Sequence, residues 1–440
     1  MNDAGARGAT VRGRTPASVK NKKPVSGERV RGGSNTVRRK LLAGISTNVL
    51  VLGVVSFLTD MSSEMIYPVL PTFLISIGAT GIVVGLIEGA AETTASMLKV
   101  VSGWSSDKWK RRKPYITGGY GLSALVKPFL VAATAPWHVL GVRLAERVGK
   151  GIRSAPRDAL IADSADPGVR GKAFGVHKAM DSLGAVAGPL AAIAILIALS
   201  TDLDTIDDGT YRVLFIAATV PAFVGVAVIL LFVREREAAG AGLKGSFLKE
   251  VRRLQRPFWL LIVVVMAFYM GEISYAFFVL KAQDAGVSAI TTIGLYMMFN
   301  VLYTLLAIPS GVLSDRIGRR PVMAVSFGIF ALTCVVMALA GDFLTVAVGF
   351  AMFGMYKGTS EGVMKAFVID IVPSDLRGTA LGAFHTAVGL VMLPGGIIAG
   401  YLWDSRGADA TFAFGAAMAL TAIVLLLVLR VGAGDSAQRA

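Results

Sequence analysis

Four acidic residues stand inside stretches that are otherwise apolar, and their spacing suits the movement of protons. Asp60 and Glu64 are four residues apart, as are Glu88 and Glu92, so each pair shares one face of a helix. A charged side chain at the centre of a bilayer costs about 2.5–3.5 kcal/mol, and such residues therefore face the interior of the protein or water. Carboxylates held in such a place can contact a substrate or take up and release protons.

Basic residues that could pair with these acids lie further along the chain. Four neighbouring acids cannot all stay charged in a low-dielectric site unless cations neutralise them. Two interpretations stay open: the charges pair off and hold helices together, or at least one carboxylate carries a coupling proton. We place Asp60 and Glu92 first, because Asp60 lies mid-span and Glu92 shares a face with Lys99. The predicted proton and substrate pathway comprises Asp60, Glu64, Glu88, Glu92, Arg143, Glu146, Arg147, Lys150, Glu272, Lys357 and Glu361.

Long apolar segments must position these residues. Hydrophobic residues make up 54% of the 440 and charged residues 17%, and the mean hydropathy of +0.64 excludes a soluble domain. About 20 apolar residues cross a bilayer. The predicted fold class is therefore an all-α polytopic membrane protein with twelve transmembrane helices. The predicted spans lie near 44–75, 79–104, 113–134, 137–163, 172–199, 211–233, 258–283, 288–313, 321–341, 343–372, 378–402 and 409–430.

The charges between the spans predict orientation and domains. The loops after spans 2 and 8 and the connector between the halves are rich in Lys and Arg, so both termini are expected in the cytoplasm. Residues 1–40 hold eleven basic and two acidic residues without an apolar run, which predicts a disordered basic tail. The other predicted domains are an N-terminal six-helix bundle at 41–233, a cytoplasmic connector at 234–257, a C-terminal six-helix bundle at 258–430 and a cytoplasmic tail at 431–440.

A motif between spans 2 and 3 is repeated between spans 8 and 9. Both copies read Gly-x-x-x-Asp-basic-x-x-basic-basic, are 208 residues apart, and are predicted to lie on a short polar turn. Asp163 and Arg170 also recur 207 residues later, which indicates two related halves. The motif residues are Gly103, Asp107, Lys108, Arg111 and Arg112 in the first copy, and Gly311, Asp315, Arg316, Gly318, Arg319 and Arg320 in the second.

This repeated motif resembles the loop signature of the major facilitator superfamily, which occurs between helices 2 and 3 and between helices 8 and 9. The first copy departs from the family at Lys110, where glycine is usual and where the second copy has Gly318. A basic connector that obeys the positive-inside rule is the alternative, but it does not account for the fixed Gly and Asp. We interpret the motif as a conformational latch, in which glycine allows close helix approach, aspartate caps a helix and arginine binds carboxylates or lipid phosphates.

Two further segments resemble motifs of the same family. The stretch from Arg143 in span 4 looks like its second motif, whose arginine tunes a buried acid in proton-coupled members; Arg147 and Lys150 are rivals for that role. The segment 184–189 in span 5 resembles the Gly-Pro motif of the drug:proton antiporter branches, without the trailing glycine pair. Close helix packing at a kink explains these glycines equally well. The predicted packing and kink residues are Gly85, Gly89, Gly188 and Pro189.

The resemblance implies two six-helix bundles around a central cavity and a secondary active transporter that works by alternating access. We expect proton-coupled export of a small organic compound across the cell inner (plasma) membrane. One alternative is a uniporter or symporter of an anionic solute that uses the span 4 cations. Another is a non-transporting membrane sensor, which the intramembrane charges disfavour. The expected partners are a small-molecule substrate, protons and membrane lipids, for a monomer that binds no nucleic acid, no cofactor and no metal and is not an enzyme.

Overall fold

A computed structural model describes residues 46–109, 111–165, 169–199, 204–235, 247–373 and 376–429, without the side chains at 107, 247 and 248. The described residues all lie beyond Ala43 and belong to one compact unit. The predicted tails, Lys110 and most of the predicted connector lie outside this description. Of the connector, the structure shows the short helix Phe247–Val251.

The described chain is helical, and its helices form twelve spans close to the predicted ones. Spans 1 to 6 are Thr47–Ile66 with Leu70–Ser76, Gly81–Trp109, Lys113–Val126 with the 3-10 helix Lys127–Ala132, Pro136–Asp163, Arg170–Leu199 and Asp208–Phe232. Spans 7 to 12 are Arg256–Met270 with Tyr275–Asp284, Ala289–Ile317, Arg319–Ala338, Phe343–Asp370, Arg377–Arg406 and Ala408–Val428.

Spans 1, 3 and 7 are each interrupted, a detail that the predicted span limits did not contain. Span 1 breaks at Tyr67, just before Pro68, which has no N–H to continue the helix. Span 3 tightens into a 3-10 helix at Lys127, where Pro128 has the same effect. Span 7 breaks at Gly271, and the following residues 272–274 line a cavity. Non-helical backbone is tolerated at membrane depth where it lines such a cavity.

The two groups of six spans pack in the same way. Span 1 packs on spans 5 and 6, span 4 on spans 2 and 3, and span 3 also on span 6. In the second half the corresponding pairs are 7 with 11 and 12, 10 with 8 and 9, and 9 with 12. The halves meet mainly where span 2 packs along span 11 and span 5 along span 8. This arrangement agrees with the internal repeat seen in the sequence.

The surface of the helices suits a bilayer. Large apolar side chains such as Leu231, Ile308 and Leu339 are more than 70% exposed, as side chains in contact with lipid must be. Within the described residues, nine helical segments are long and apolar enough to cross a membrane by length and composition. Spans 3, 4 and 10 are not among them, because span 3 is interrupted and spans 4 and 10 carry charged residues of the candidate site.

Spans 6 and 10 each begin after an aspartate that caps the N-terminus of the helix. The side chain of Asp207 accepts a hydrogen bond from the backbone N–H of Thr210 at 3.0 Å, and that of Asp342 accepts one from Thr345 at 2.8 Å. These hydrogen bonds satisfy N–H groups at the starts of spans 6 and 10. The hydrogen bonds from Thr210 lower the pKa of Asp207, and those from Thr345 lower the pKa of Asp342.

Candidate functional site

A cavity of about 390 Å³ lies between the two halves. Its volume is at the lower end of the range of about 300–1,000 Å³ found for small-molecule sites. Spans 1, 2 and 4 line it from one half, and spans 7, 8, 10 and 11 from the other. Ten aromatic side chains contribute to the wall. The titratable residues on its surface, apart from the tyrosines, are Glu64, Glu88, Glu92, Lys99, Arg147, Lys150, Glu272, Lys357, Glu361, Lys365 and His385.

Arg143 is the centre of a buried charge network behind the cavity wall. It is 1% exposed and donates to Glu88 at 2.8 Å and to Glu146 at 3.1 Å. Lys127, also 1% exposed, lies 3.8 Å from Glu146 and donates to Ser62 at 2.6 Å. Removing one partner of such a buried pair leaves an uncompensated charge and costs about 3–5 kcal/mol. This network therefore ties spans 1 to 4 together.

Glu92 has a cationic partner in this structure. Arg147 lies 2.8 Å from its carboxylate, and Arg147 is 3% exposed. The guanidinium groups of Arg143 and Arg147 also face the ring of Tyr67, at 4.8 and 5.6 Å from its centroid. An acid held in this way stays charged, so the pairing favours a structural part for Glu92 in this state.

Glu64 differs from the other cavity acids. Its carboxylate accepts hydrogen bonds from the hydroxyl of Tyr296 at 2.9 Å and from the amide of Asn300 at 3.2 Å. Both partners belong to span 8, in the other half. Among the described residues, no lysine or arginine nitrogen lies within the 4.0 Å of an ion pair. Glu64 thus joins the two halves through neutral groups only.

Asp60 lies one turn before Glu64 but does not line the cavity. Its carboxyl group is within hydrogen-bonding reach of Asp181 in span 5. Asp181 also accepts from Ser56 at 2.9 Å and from Lys178 at 2.7 Å. Two carboxyl groups can form such a hydrogen bond only when a proton lies between them.

The second half supplies two paired acids. Lys357 donates to Glu272 in a short contact, and Tyr356 donates to the same oxygen at 2.7 Å. In the same span, Glu361 accepts from Lys365 at 2.8 Å, and from the hydroxyl of Tyr303 in span 8 at 2.8 Å. Both acids therefore face the cavity with their charge balanced.

Two cavity cations have no such balance. Within the described chain, the ammonium groups of Lys99 and Lys150 make no ion pair and no hydrogen bond. Both lie in Coulombic range of Glu92, which Arg147 already neutralises, and of each other. The cavity thus holds two half-buried positive groups without an ion pair beside the paired charges.

The seam between spans 2 and 11 is built from backbone against backbone. A Cβ atom on Gly85 would overlap the carbonyl of Gly396, and one on Gly400 would overlap that of Gly81. Asp404 in span 11 accepts from the N–H of Gly81 at 2.7 Å and from that of Ile82 at 2.9 Å. Span 2 is therefore capped by the opposite half, and we call this the capped end of the cavity.

The other predicted packing residues lie at close approaches too. A Cβ atom on Gly89 would lie 2.8 Å from the carbonyl oxygen of Met392 in span 11. One on Gly188 would lie 2.6 Å from the carbonyl oxygen of Met61 and 2.7 Å from Glu64. Pro189 lies within span 5, which continues through it as one helix. These glycines let spans 5 and 11 approach spans 1 and 2 at the acids.

The latch residues lie partly on helices rather than on turns, which corrects the prediction. Span 2 continues to Trp109 and span 8 to Ile317, so Gly103, Asp107 and Lys108, and likewise Gly311, Asp315 and Arg316, belong to the ends of helices. The turns themselves are short. In the second copy Gly318 has a φ of 94°, a left-handed conformation that suits glycine.

The contacts of the two motif copies are alike but shifted by one residue. Arg112 donates to Ser106 at 2.9 Å and lies 3.7 Å from Asp163. Its counterpart is Arg319, which donates to Ser314 and to Asp370 at 2.9 Å. The offset between the copies therefore changes from 208 to 207 residues inside the turn.

The remaining motif residues make local contacts. Arg319 lies 2.6 Å from Asp315, Arg320 donates to the carbonyl of Leu427 at 2.9 Å, and Lys108 stacks over the ring of Trp104. Arg111 is exposed, and the side chain of Asp107 lies outside the described part. The contacts named here join spans of one half only, so the predicted latch between halves stays a prediction.

Sequence reasoning placed most of the acids and cations but missed residues that join the halves, among them Asn300 and Asp404. Asn300, which binds Glu64, is an amide in an apolar span and carried no charge signal. Asp404 lies at the end of span 11 and caps span 2, more than 300 residues away. An acid at the end of an apolar span is the signal that could have drawn attention to it.

Comparisons with known proteins agree with this architecture. The family model of the Major Facilitator Superfamily matches residues 52–302 and 282–439. An uncharacterised MFS-type transporter of Methanocaldococcus jannaschii is 35% identical over 394 residues, which cover 88% of this chain and 95% of the relative. A crystal structure of the nucleoside transporter NupG has a TM-score of 0.68 at 15% identity, covering 87% of this chain and 98% of that one. A crystal structure of a D-xylose–proton symporter has a TM-score of 0.67 at 14% identity, covering 87% and 97%.

Proposed function

The chain belongs to the major facilitator superfamily and is a membrane transporter of that type, and we propose that it couples the movement of a small organic compound to protons. The central cavity would bind the compound, and the two halves would expose it to either side of the membrane in turn. Spans 1 to 6 and spans 7 to 12 would be the moving domains, with both termini in the cytoplasm. In this orientation the capped end faces away from the cytoplasm.

One observation carries the proposal for proton coupling: Glu64 faces the cavity and binds only neutral groups of the opposite half. A carboxyl group without a cationic partner in a low-dielectric site can hold a proton, whereas Glu92 and Glu272 are bound by cations. Ionised and protonated Glu64 differ in how strongly they bind Tyr296 and Asn300. Protonation therefore changes a contact between the halves, as a coupling group must.

The contacts of the acids change the ranking made from the sequence. We place Glu64 first and keep Asp60 as the second proton-carrying candidate, since its carboxyl group lies within reach of that of Asp181 and the two can share a proton. Glu92, which we had placed beside Asp60, has Arg147 at 2.8 Å and is better suited to hold spans 2 and 4 together.

Two modes of transport fit the site. Export in exchange for protons is supported by the resemblance of the span 5 segment 184–189 to the Gly-Pro motif of drug:proton antiporters. Movement of an anionic solute is supported by Lys99 and Lys150, whose charges are not balanced by a described partner. Transport of a panel of metabolites and drugs into vesicles, with a pH gradient of either sign, distinguishes the two.

Glu64→Gln tests the coupling group. The variant should exchange substrate downhill but fail to accumulate it in response to a pH gradient, because the rocking motion needs no proton. Glu92→Gln is the matched comparison: it leaves Arg147 unpaired and should reduce both modes together. A Glu64→Gln protein with the normal response to the gradient would refute the assignment.

A further inference from the structure

The charge of the cavity identifies a class of substrate. Glu88, Glu92, Glu272 and Glu361 each have a cation within 3.1 Å. Apart from the tyrosines and His385, the titratable lining groups that remain without an ion pair in the described chain are Glu64, Lys99 and Lys150. When Glu64 carries a proton, two positive charges remain, and nothing described in the wall neutralises them.

We propose that the substrate is an organic anion with a flat apolar part, and that Lys99 and Lys150 bind its anionic group. Burying an ammonium group without a partner is costly, so a cavity that keeps two of them favours an anion. Ten aromatic side chains line the same cavity and suit a planar apolar group beside the charge. The proposal rests on the proposed function of Glu64 for its account of coupling.

The positions of the two lysines add a geometric argument. Lys99 follows Glu92 by two turns in span 2, and Lys150 follows Arg147 by one turn in span 4, so both lie on the side of the Glu92–Arg147 pair away from the capped end. The pair occupies Glu92 and leaves the ammonium groups to face the space in front of it. An anion placed there would contact both lysines. Its apolar part would contact aromatic rings of the opposite half.

The sign of the coupling follows from the charges. Glu64 is faced by Lys150 of span 4, by Asp181 of span 5 and by Tyr296 and Asn300 of span 8, and Asp60 lies one turn away in its own span. A negative charge on Glu64 repels an anion in the cavity, and protonation removes that repulsion. Proton and anion therefore favour each other's binding, and linkage makes this effect reciprocal. A carrier that is loaded with both together moves both in the same direction. The proposal thus selects symport of an anionic solute over exchange.

The test uses the full-length protein in lipid nanodiscs and needs no known substrate. Binding of benzoate, 3-phenylpropanoate and 2-naphthoate is measured by calorimetry, each beside its neutral amide. At least one carboxylate should bind more tightly than its amide by about tenfold or more, the change expected for a hydrogen bond to a charged group. If no carboxylate exceeds its amide, the proposal is overturned, whatever the variants do.

Variants then locate the site. Lys150→Gln and Lys99→Gln should each remove most of the preference for the carboxylate and leave amide binding unchanged. Lys249→Gln, in the exposed connector helix, is the matched control and should change neither. Preference retained in both cavity variants would place the anion elsewhere and refute the assignment.

The pH dependence separates this proposal from the one on Glu64. In the parent protein, carboxylate binding should tighten from mildly alkaline to mildly acidic pH, and in Glu64→Gln it should stay tight throughout. A carboxylate preference whose pH dependence survives in Glu64→Gln would refute Glu64 as the coupling group but leave the substrate class standing. The opposite result is a pH response that is lost in Glu64→Gln in a protein without any carboxylate preference. It would refute the substrate class but leave Glu64 standing as the coupling group.

Discussion

Asp404 offers a direct way to change the balance between the two states of the transporter. Its carboxylate accepts hydrogen bonds from the N–H groups of Gly81 and Ile82, at 2.7 and 2.9 Å, across the boundary between the halves. Under the proposed alternating access, these bonds would exist only while the capped end is closed. Asp404→Ala removes these bonds from the closed state and leaves the state with an open capped end unaffected. The whole loss of stabilising free energy therefore changes the equilibrium between the closed and the open state.

The expected size of the shift follows from the cap. Loss of an acidic N-cap costs about 1 kcal/mol, and Asp404 is exposed, so we take the middle of the measured range. A change of about 1 kcal/mol corresponds to about a fivefold change in an equilibrium constant. The population with an open capped end should therefore rise about fivefold.

Cysteine labelling measures this population. Ala399 lines the cavity in span 11 beside the seam with span 2, so Ala399→Cys should react with a membrane-impermeant maleimide from the capped side only when that end opens. Cys334, the single cysteine of the chain, is buried and gives the background. When Asp404→Ala is added to the Ala399→Cys protein, the cysteine at position 399 should be labelled about five times faster from the capped side.

The matched control is Ser405→Ala. Ser405 is the exposed neighbour of Asp404 and donates only within its own helix, to Tyr401 at 2.6 Å. In the Ser405→Ala variant, the cysteine at position 399 should be labelled at the parent rate. Equal rates for Asp404→Ala and the parent, or an equal rise in Ser405→Ala, would refute the reasoning, because the cap would then contribute nothing to closure.

Three further predictions concern the seam, the motif and the tail. Gly85→Ala places a Cβ against the carbonyl of Gly396, so transport per molecule in vesicles should fall sharply while span insertion is kept; normal transport would show that the seam can separate freely. Asp107→Asn should abolish transport and Asp315→Asn should be milder, since the first copy lies in the half with the larger buried charge network; parent-like transport by Asp107→Asn would contradict this. Deleting residues 2–34 should leave uptake and membrane abundance nearly unchanged, and lost activity at normal abundance would show that the tail does more.

The number and order of the spans could be predicted because both depend on local composition. An apolar run of about 20 residues can be recognised without knowing what packs against it. The repeat of Asp163 at Asp370 shows which segments of the two halves correspond. The breaks in spans 1 and 7 do not follow from apolar composition. Pro68 is a signal for the first break that the span limits did not use, whereas the second break, at Gly271, depends on the cavity that residues 272–274 line.

The sequence also could not predict which cation pairs with which acid. The cost of a charge in lipid places Glu64 and Glu92 inside the bundle, but it does not say which helix lies opposite. The difference between them arises from tertiary structure: span 4 brings Arg147 to Glu92, whereas span 8 brings only Tyr296 and Asn300 to Glu64.

The glycines of spans 2 and 11 have a consequence for the path of the motion. At this seam span 2 has three glycines at four-residue spacing and span 11 has two, and the structure places Gly81 against Gly400 and Gly85 against Gly396. Sliding one antiparallel helix by four residues, about 6 Å, would set Gly85 against Gly400 and Gly89 against Gly396. The seam therefore offers a second register with the same two glycine crossings. Two registers of similar packing, separated by one helical turn, would make this contact a two-position ratchet rather than a continuous slide.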